Sequence, residues 1–239
     1  NRTFASEDDR GFMKRAMILA AGRGSRMGEL TSDLQKPLIC IAGKTLIERQ
    51  IERLRAGGFD ELVVNLAYRG EQIRHYLGDG AQFGVSIAYS QEPPGALDTG
   101  GGIAAALPLL GAHPFAVVNS DVWTNFDFSH LAEPIADAHL ILVPNPRHNL
   151  SGDFAIHDGF VTKEGEKRTF SGIGVYRPEL FPQNGPDQYP LAPIMIAAAA
   201  EGRVTAELYS GLWLDVGTAD RLAVARQLAA LQAANHSGV

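Results

Sequence analysis

The densest group of chemically capable residues follows an early apolar run. Residues 16–21 are Ala-Met-Ile-Leu-Ala-Ala, and Gly22-Arg23-Gly24-Ser25-Arg26-Met27 comes directly after, with Lys36-Pro37 a little further on. A glycine-rich turn leaving a buried strand can aim several backbone N–H groups at one anion. Arg26 adds a forked donor suited to phosphate oxygens, and Lys36 adds a compact charge. The stretch therefore suits a polyphosphate. It is not a P-loop, because no lysine follows Gly24. It is not a dinucleotide fingerprint either, since Met27 stands where a third small residue is required.

These residues need a frame. Residues 45–56 carry Leu46, Ile47, Ile51 and Leu54 at helical period and stop at Gly57-Gly58. Residues 61–65, 85–89 and 115–118 read as strands, and 69–77 and 102–110 as helices. Strands alternating with helices at this spacing imply βαβ units and a mainly parallel sheet. Such sheets bind ligands at the carboxyl ends of their strands. Residues 22–26, Asn65 and Asp121 all fall at such ends, so strand order alone puts them in one cleft. Beyond residue 140 the pattern becomes strand 139–143, a loop-rich stretch, strand 169–176, and helices at 191–200 and 219–234. Residues 13–234 read as one domain with a small inserted subregion. Residues 1–12, polar and acidic, read as a leader or an expression remnant.

Of 239 residues, 45% are hydrophobic and 20% charged, so a sizeable core is affordable. The net charge of −6 argues against a protein that coats nucleic acid or an anionic membrane. No run approaches the length of a membrane span, and a cytoplasmic location is expected. The single cysteine, Cys40, excludes an internal disulfide and a Cys-rich zinc site, and its apolar setting reads as core. His113, His130, His139, His148 and His157 lack metal-ligand spacing and read as surface or loop residues.

Five stretches, in order, resemble the sugar-phosphate nucleotidyltransferase family. They are residues 19–27 with Lys36-Pro37, Asp98-Thr99-Gly100-Gly101-Gly102, Asn119-Ser120-Asp121, Phe170-Ser171-Gly172-Ile173-Gly174-Val175-Tyr176, and Trp213-Leu214-Asp215-Val216-Gly217-Thr218. The resemblance implies a Rossmann-like three-layer α/β/α fold, a mainly parallel mixed sheet with a small sugar-binding subregion. It also implies a reaction: a sugar 1-phosphate attacks the α-phosphorus of a nucleoside triphosphate and pyrophosphate leaves. Asp121 and Asp215 would hold Mg²⁺. Arg26 and the amides of residues 22–25 would hold the β- and γ-phosphates, and Lys36 would reach the α-phosphate. Arg26 and Lys36 are thus the expected catalytic residues.

Leu19, Ala20, Ala21, Gly22, Gly24, Ser25, Asn65, Gln91 and Gly100 complete the expected nucleotide site, with Asp98 to Gly102 read as a nucleobase loop. Asn119, Asn149, Asp153, Glu166 and Gly172 are the expected sugar contacts, and Arg168 is the candidate cation for a sugar carboxylate. Trp123 reads as core packing ahead of sugar stacking. At 239 residues the chain is expected to lack the left-handed β-helix tail of bifunctional relatives. Within the family its motifs most resemble compact members that use UTP and N-acetylmuramic acid 1-phosphate in peptidoglycan recycling, although those members have Glu where this chain has Asp98. Glucose 1-phosphate or mannose 1-phosphate with UTP, dTTP or GTP is the alternative. A noncatalytic nucleotide-sensing subunit is the alternative of another class. A monomer or weak homodimer is expected, with no nucleic-acid or membrane partner.

Overall fold

The computed structural model describes residues 13–93, 97–131, 133–182 and 188–236, and the expected leader lies outside them. The first strand, β1 (Arg15–Leu19), is buried along its middle on both faces, as befits a central strand. A small hairpin, β2 (Cys40–Ile41) and β3 (Lys44–Thr45), leads into helix α1 (Leu46–Ala56). Then follow β4 (Glu61–Leu66), α2 (Gly70–Leu77), β5 (Ser86–Gln91), α3 (Asp98–Leu110) and β6 (Phe115–Asn119). A short strand β7 (Val122–Thr124) precedes β8 (Ala138–Val143), the hairpin β9 (Ala155–His157) and β10 (Phe160–Thr162), and β11 (Thr169–Tyr176). The chain closes with α4 (Leu191–Ala200), β12 (Val204–Leu208), β13 (Trp213–Asp215) and α5 (Ala219–His236).

One sheet of nine strands runs in the order β5-β4-β1-β6-β11-β8-β12-β10-β9. Its first four strands are parallel, β11 is antiparallel to both its neighbours, and β12 lies parallel to β8. Alternate residues of β1 explain the layers. Ala16 and Ile18 pack with Ile47, Ile51 and Leu54 of α1 and Ile73 and Leu77 of α2. Met17, facing the other way, packs with Ile103 and Leu110 of α3 and Met195 of α4. The result is the Rossmann-like three-layer α/β/α arrangement, in which each fully buried aliphatic side chain contributes about 1.5–3 kcal/mol. A third apolar cluster joins Met27, Ile39, Trp123, Val216 and Leu222. No helix among the described residues is long and apolar enough to cross a membrane.

Three expectations need correction. Asp98 to Gly102 is not a loop but the first turn of α3. Glycine there costs helix propensity, yet a Cβ on Gly100 would stand 2.5 Å from the Tyr189 ring. Close packing outweighs propensity. Cys40 is exposed, because side chains alternate along a strand and Ile41 takes the inward position. His139 lies half-buried on β8, its Nδ1 2.9 Å from Thr205 Oγ1, and burial holds its imidazole below the usual range. Trp123 is core, as read.

Helix α1 starts with a capping box. Thr45 Oγ1 accepts from the Glu48 N–H at 3.2 Å, and Glu48 Oε2 accepts from the Thr45 N–H at 3.3 Å. Thr45→Ala should cost about 1 kcal/mol. Urea unfolding should show a lower midpoint at unchanged slope, because the surface exposed on unfolding stays the same.

Candidate active site

The carboxyl ends of β1, β4 and β6 open onto a cavity of about 410 Å³. Its wall includes Leu19, Ala20, Ala21, Gly22, Gly24, Ser25, Arg26, Lys36, Asn65, Asn119 and Asp121. The nucleotide residues read from the N-terminal half of the chain thus share one cleft, apart from Gln91 and Gly100. Gln91 is exposed and its amide donates to the Leu66 and Glu92 carbonyls, each at 3.2 Å. Gly100 lies against Tyr189.

The glycine-rich loop is pinned at both ends. Gly24 adopts φ 66°, accepts from the Met27 N–H at 2.9 Å, and lies so near Lys36 that a Cβ would stand 3.0 Å from Lys36 Cβ. Met27, the residue that breaks the dinucleotide fingerprint, is the loop's apolar anchor in the third cluster. At the far end Gln35 is only 3% exposed. Its backbone N–H donates to Gln72 Oε1 at 3.0 Å and its side-chain amide to the Tyr68 carbonyl. Gln72 returns a bond to the Asp33 carbonyl at 2.8 Å, which ties the loop to α2. Pro37 then opens the short turn that presents Lys36.

Lys36 is 8% exposed, and its ammonium pairs with Asp121 Oδ2. The second aspartate comes from far along the chain. Strand β13 pairs antiparallel with β7 so that Asp215 faces Val122, and the Val216 N–H donates to the Asp121 carbonyl at 2.8 Å. Gln50 of α1 holds the same ribbon by donating to the Val122 carbonyl. Asp215 Oδ1 lies 3.0 Å from Arg221 Nη1 and 3.2 Å from His148 Nε2. Burial pushes the Asp215 carboxyl above the usual range, Arg221 and His148 pull it back, and nearby Asp121 pushes it up again. Two carboxylates close enough to feel each other, with oxygen donors only, fit a hard divalent cation whose other positions go to phosphate and water. Among the described residues no cluster of three or more His, Cys, Asp or Glu forms a self-sufficient metal cage.

The expected sugar contacts separate into two groups. Asn119 lines the cavity. Gly172 (φ 78°) sits where the β11–β8 register shifts, and a Cβ there would stand 2.5 Å from Asn119 Nδ2. Trp213 Nε1 holds this bulge through the Ser171 carbonyl at 2.9 Å. Asn149, Asp153 and Glu166 lie outside the cavity wall. Asn149 donates to both Asp153 oxygens, at 3.1 and 3.2 Å, and Asp153 Oδ2 accepts from the Phe170 N–H at 2.8 Å. That pair fastens its loop to β11. Glu166 is exposed and pairs with Arg168 at 2.8 Å. Glu92 and Arg221 escaped the sequence reading, and His148, exposed in a turn as read there, was not connected with Asp215. Arg221 had one readable signal, its place six residues after Asp215 near the start of a helix. Glu92 and His148 had none, because their partners lie far off in sequence.

A nucleotidyl transferase family profile matches residues 15–149. The chain is 51% identical over 227 residues to N-acetylmuramate alpha-1-phosphate uridylyltransferase of Neisseria meningitidis serogroup B, covering 90% of this chain and 98% of the relative. It is 34% identical to the protein of the same name from Caulobacter vibrioides, over 85% of this chain and 92% of that one. Among solved structures, the inositol-1-phosphate CTP transferase from T. maritima superposes with a TM-score of 0.77 at 16% identity, over 91% and 95% of the two chains. HddC from Yersinia pseudotuberculosis superposes at 0.73 and 23%, over 90% and 99%. At such identities those structures speak for the fold. With a profile matched across the cavity-forming half and a relative aligned along nearly its whole length, the chain belongs to the nucleotidyl transferase family.

Proposed function

We propose that the protein transfers the uridylyl group of UTP to N-acetylmuramic acid 1-phosphate, giving UDP-N-acetylmuramic acid and pyrophosphate. The observation that carries the reaction type is the meeting of Lys36, Asp121 and Asp215 beside a glycine-rich loop at the strand ends. The sugar and the base come from the two relatives that share most of their length with this chain.

A phosphate oxygen of the sugar phosphate attacks the α-phosphorus of UTP. As the new P–O bond forms, the bond to the bridging oxygen breaks, and the electron pair leaves with pyrophosphate. The second pKa of a phosphate monoester is about 6, so the attacking group is mostly dianionic at pH 7 and no general base is required. The work left to the protein is alignment and charge stabilisation. The amides of residues 22–25 and Arg26 hold the β- and γ-phosphates. Lys36 faces the α-phosphate, where negative charge builds. Asp121 and Asp215 would hold Mg²⁺, which neutralises crowded phosphate oxygens when bound. Asn119 and the bulge at Gly172 shape the sugar side. The single nine-stranded sheet supports reading 13–234 as one domain, acting as a monomer or weak homodimer in the cytoplasm, where UTP is found.

Pyrophosphate release should require UTP, N-acetylmuramic acid 1-phosphate and Mg²⁺ together, and EDTA should abolish it. Turnover with glucose 1-phosphate or mannose 1-phosphate in place of this sugar would sink the substrate assignment and keep the chemistry. Lys36→Met should lower kcat roughly 10²–10³-fold while the KM for UTP moves only a few-fold, because its charge acts where the transition state gains charge. Arg26→Ala should act the other way. It should raise the KM for UTP roughly 10-fold with a smaller effect on kcat, since its contact is already made in the ground state.

A further inference from the structure

Asp215 is held by one of its two oxygens. Oδ1 accepts from Arg221 Nη1 at 3.0 Å and lies 3.2 Å from His148 Nε2, while Oδ2 takes no hydrogen bond from any described residue. Asp121 is treated alike: Lys36 occupies its Oδ2, and no described residue bonds to its Oδ1. Arg221 stands in the first turn of α5, where the helix dipole disfavours a cation. Its side chain is 14% exposed, and its Nε has no partner among the described residues. Burying a guanidinium in this way is costly, and Asp215 is what it is buried against. Gly217 makes room for the arrangement. A Cβ there would collide with Arg221 Nη2 and stand 3.2 Å from Asp215 Oδ2, and Gly217 itself lines the cavity.

His148 arrives from a different part of the chain, on the turn between β8 and β9. Asn145 donates to the Leu150 and Lys167 carbonyls, at 3.1 and 2.9 Å, and accepts from Thr169 Oγ1 at 3.0 Å. Asn149 donates to the same Thr169 Oγ1 at 3.2 Å. Thr169 begins β11, so the two asparagines fasten the turn to the sheet on both sides of His148. We propose that Arg221 and His148 are positioning residues: by occupying Oδ1 together they fix the Asp215 carboxylate so that Oδ2 is the oxygen it offers a divalent cation. Outer partners of this kind orient a ligating group, and their loss costs roughly 10- to 100-fold in metal affinity. A mere counter-charge would act with the opposite sign, because a guanidinium competes with a metal cation for the same carboxylate. The proposal rests on reading Asp121 and Asp215 as the metal pair, and it assigns the residues that orient one of them.

Titration of the full chain with Mn²⁺ alone tests this, with free Mn²⁺ followed by electron paramagnetic resonance. Wild-type protein should take up Mn²⁺ at a site that Asp215→Asn removes. His148→Leu and Arg221→Met should each weaken that binding roughly 10-fold or more. His148→Gln and Arg221→Lys, which keep a donor toward Oδ1, should stay within a few-fold of wild type. In turnover, His148→Leu should raise the Mg²⁺ concentration for half-maximal rate more than it lowers kcat. Unchanged or tighter Mn²⁺ binding by His148→Leu and Arg221→Met overturns the proposal. So does a loss that the donor-keeping variants share, since damage to the fold would give that. His148 lies on an exposed turn, so its arm stands even where Arg221→Met fails to fold. Mn²⁺ uptake untouched by Asp215→Asn removes the metal reading and the proposal together. Uptake that depends on His148 and Arg221, in a protein inactive toward N-acetylmuramic acid 1-phosphate, removes the substrate assignment and leaves the positioning role standing.

Discussion

Two aspartates far apart in sequence have to stand side by side, and like charges in a partly buried place repel. Asp121 and Asp215 are brought together by the β7–β13 ribbon and by the bond between Val216 N–H and the Asp121 carbonyl. The repulsion shows in the Asp215 carboxyl, which burial and Asp121 both push up. Lys36 on one side and Arg221 and His148 on the other offset it. Stripping one partner from such a buried pair costs about 3–5 kcal/mol, because the other charge is left stranded. The site is thus electrostatically tense, and on the proposed reading Asp121 and Asp215 would hold a divalent cation whose charge would offset their repulsion.

Much of the remaining architecture serves to hold that cluster against its own repulsion. Met27 and Val216 anchor the glycine-rich loop and the second aspartate strand in one apolar cluster with Trp123 and Leu222 of α5. Gln50 fastens the ribbon from α1, and Gln35 fastens the loop to α2. Each of these polar residues is buried and bonded to backbone, where it holds position without adding charge. The third apolar cluster therefore anchors the segments that carry the loop and the second aspartate as well as being a piece of core.

The start of α3 is set by close approach. Three successive glycines open α3, a poor choice for a helix on propensity alone. Tyr189 and Glu92 occupy the space that side chains at Gly100 and Gly102 would need. Local preference loses to tertiary packing, and for that reason Asp98 to Gly102 reads as a loop in sequence and folds as a helix turn.

The sequence by itself determined the helices α1 to α5, the strands β1, β4, β5, β6, β8 and β11, and the gathering of residues 22–26, Asn65 and Asp121 at one edge, but gave no sign of β12 inside the sheet. Periodicity is local, and a parallel sheet collects its strand ends on one side. The order of motifs pointed to Asp215 as well. Tertiary structure alone decided the partners. His148 on Asp215, Glu92 on Asn65 and Gln35 on Tyr68 join segments with no periodic relation, so no spacing rule could have paired them. It also decided which polar residues face the cavity. Gln91 and Glu92 are adjacent, and a strand turns neighbours to opposite faces; only the fold shows that the carboxylate faces in and the amide out.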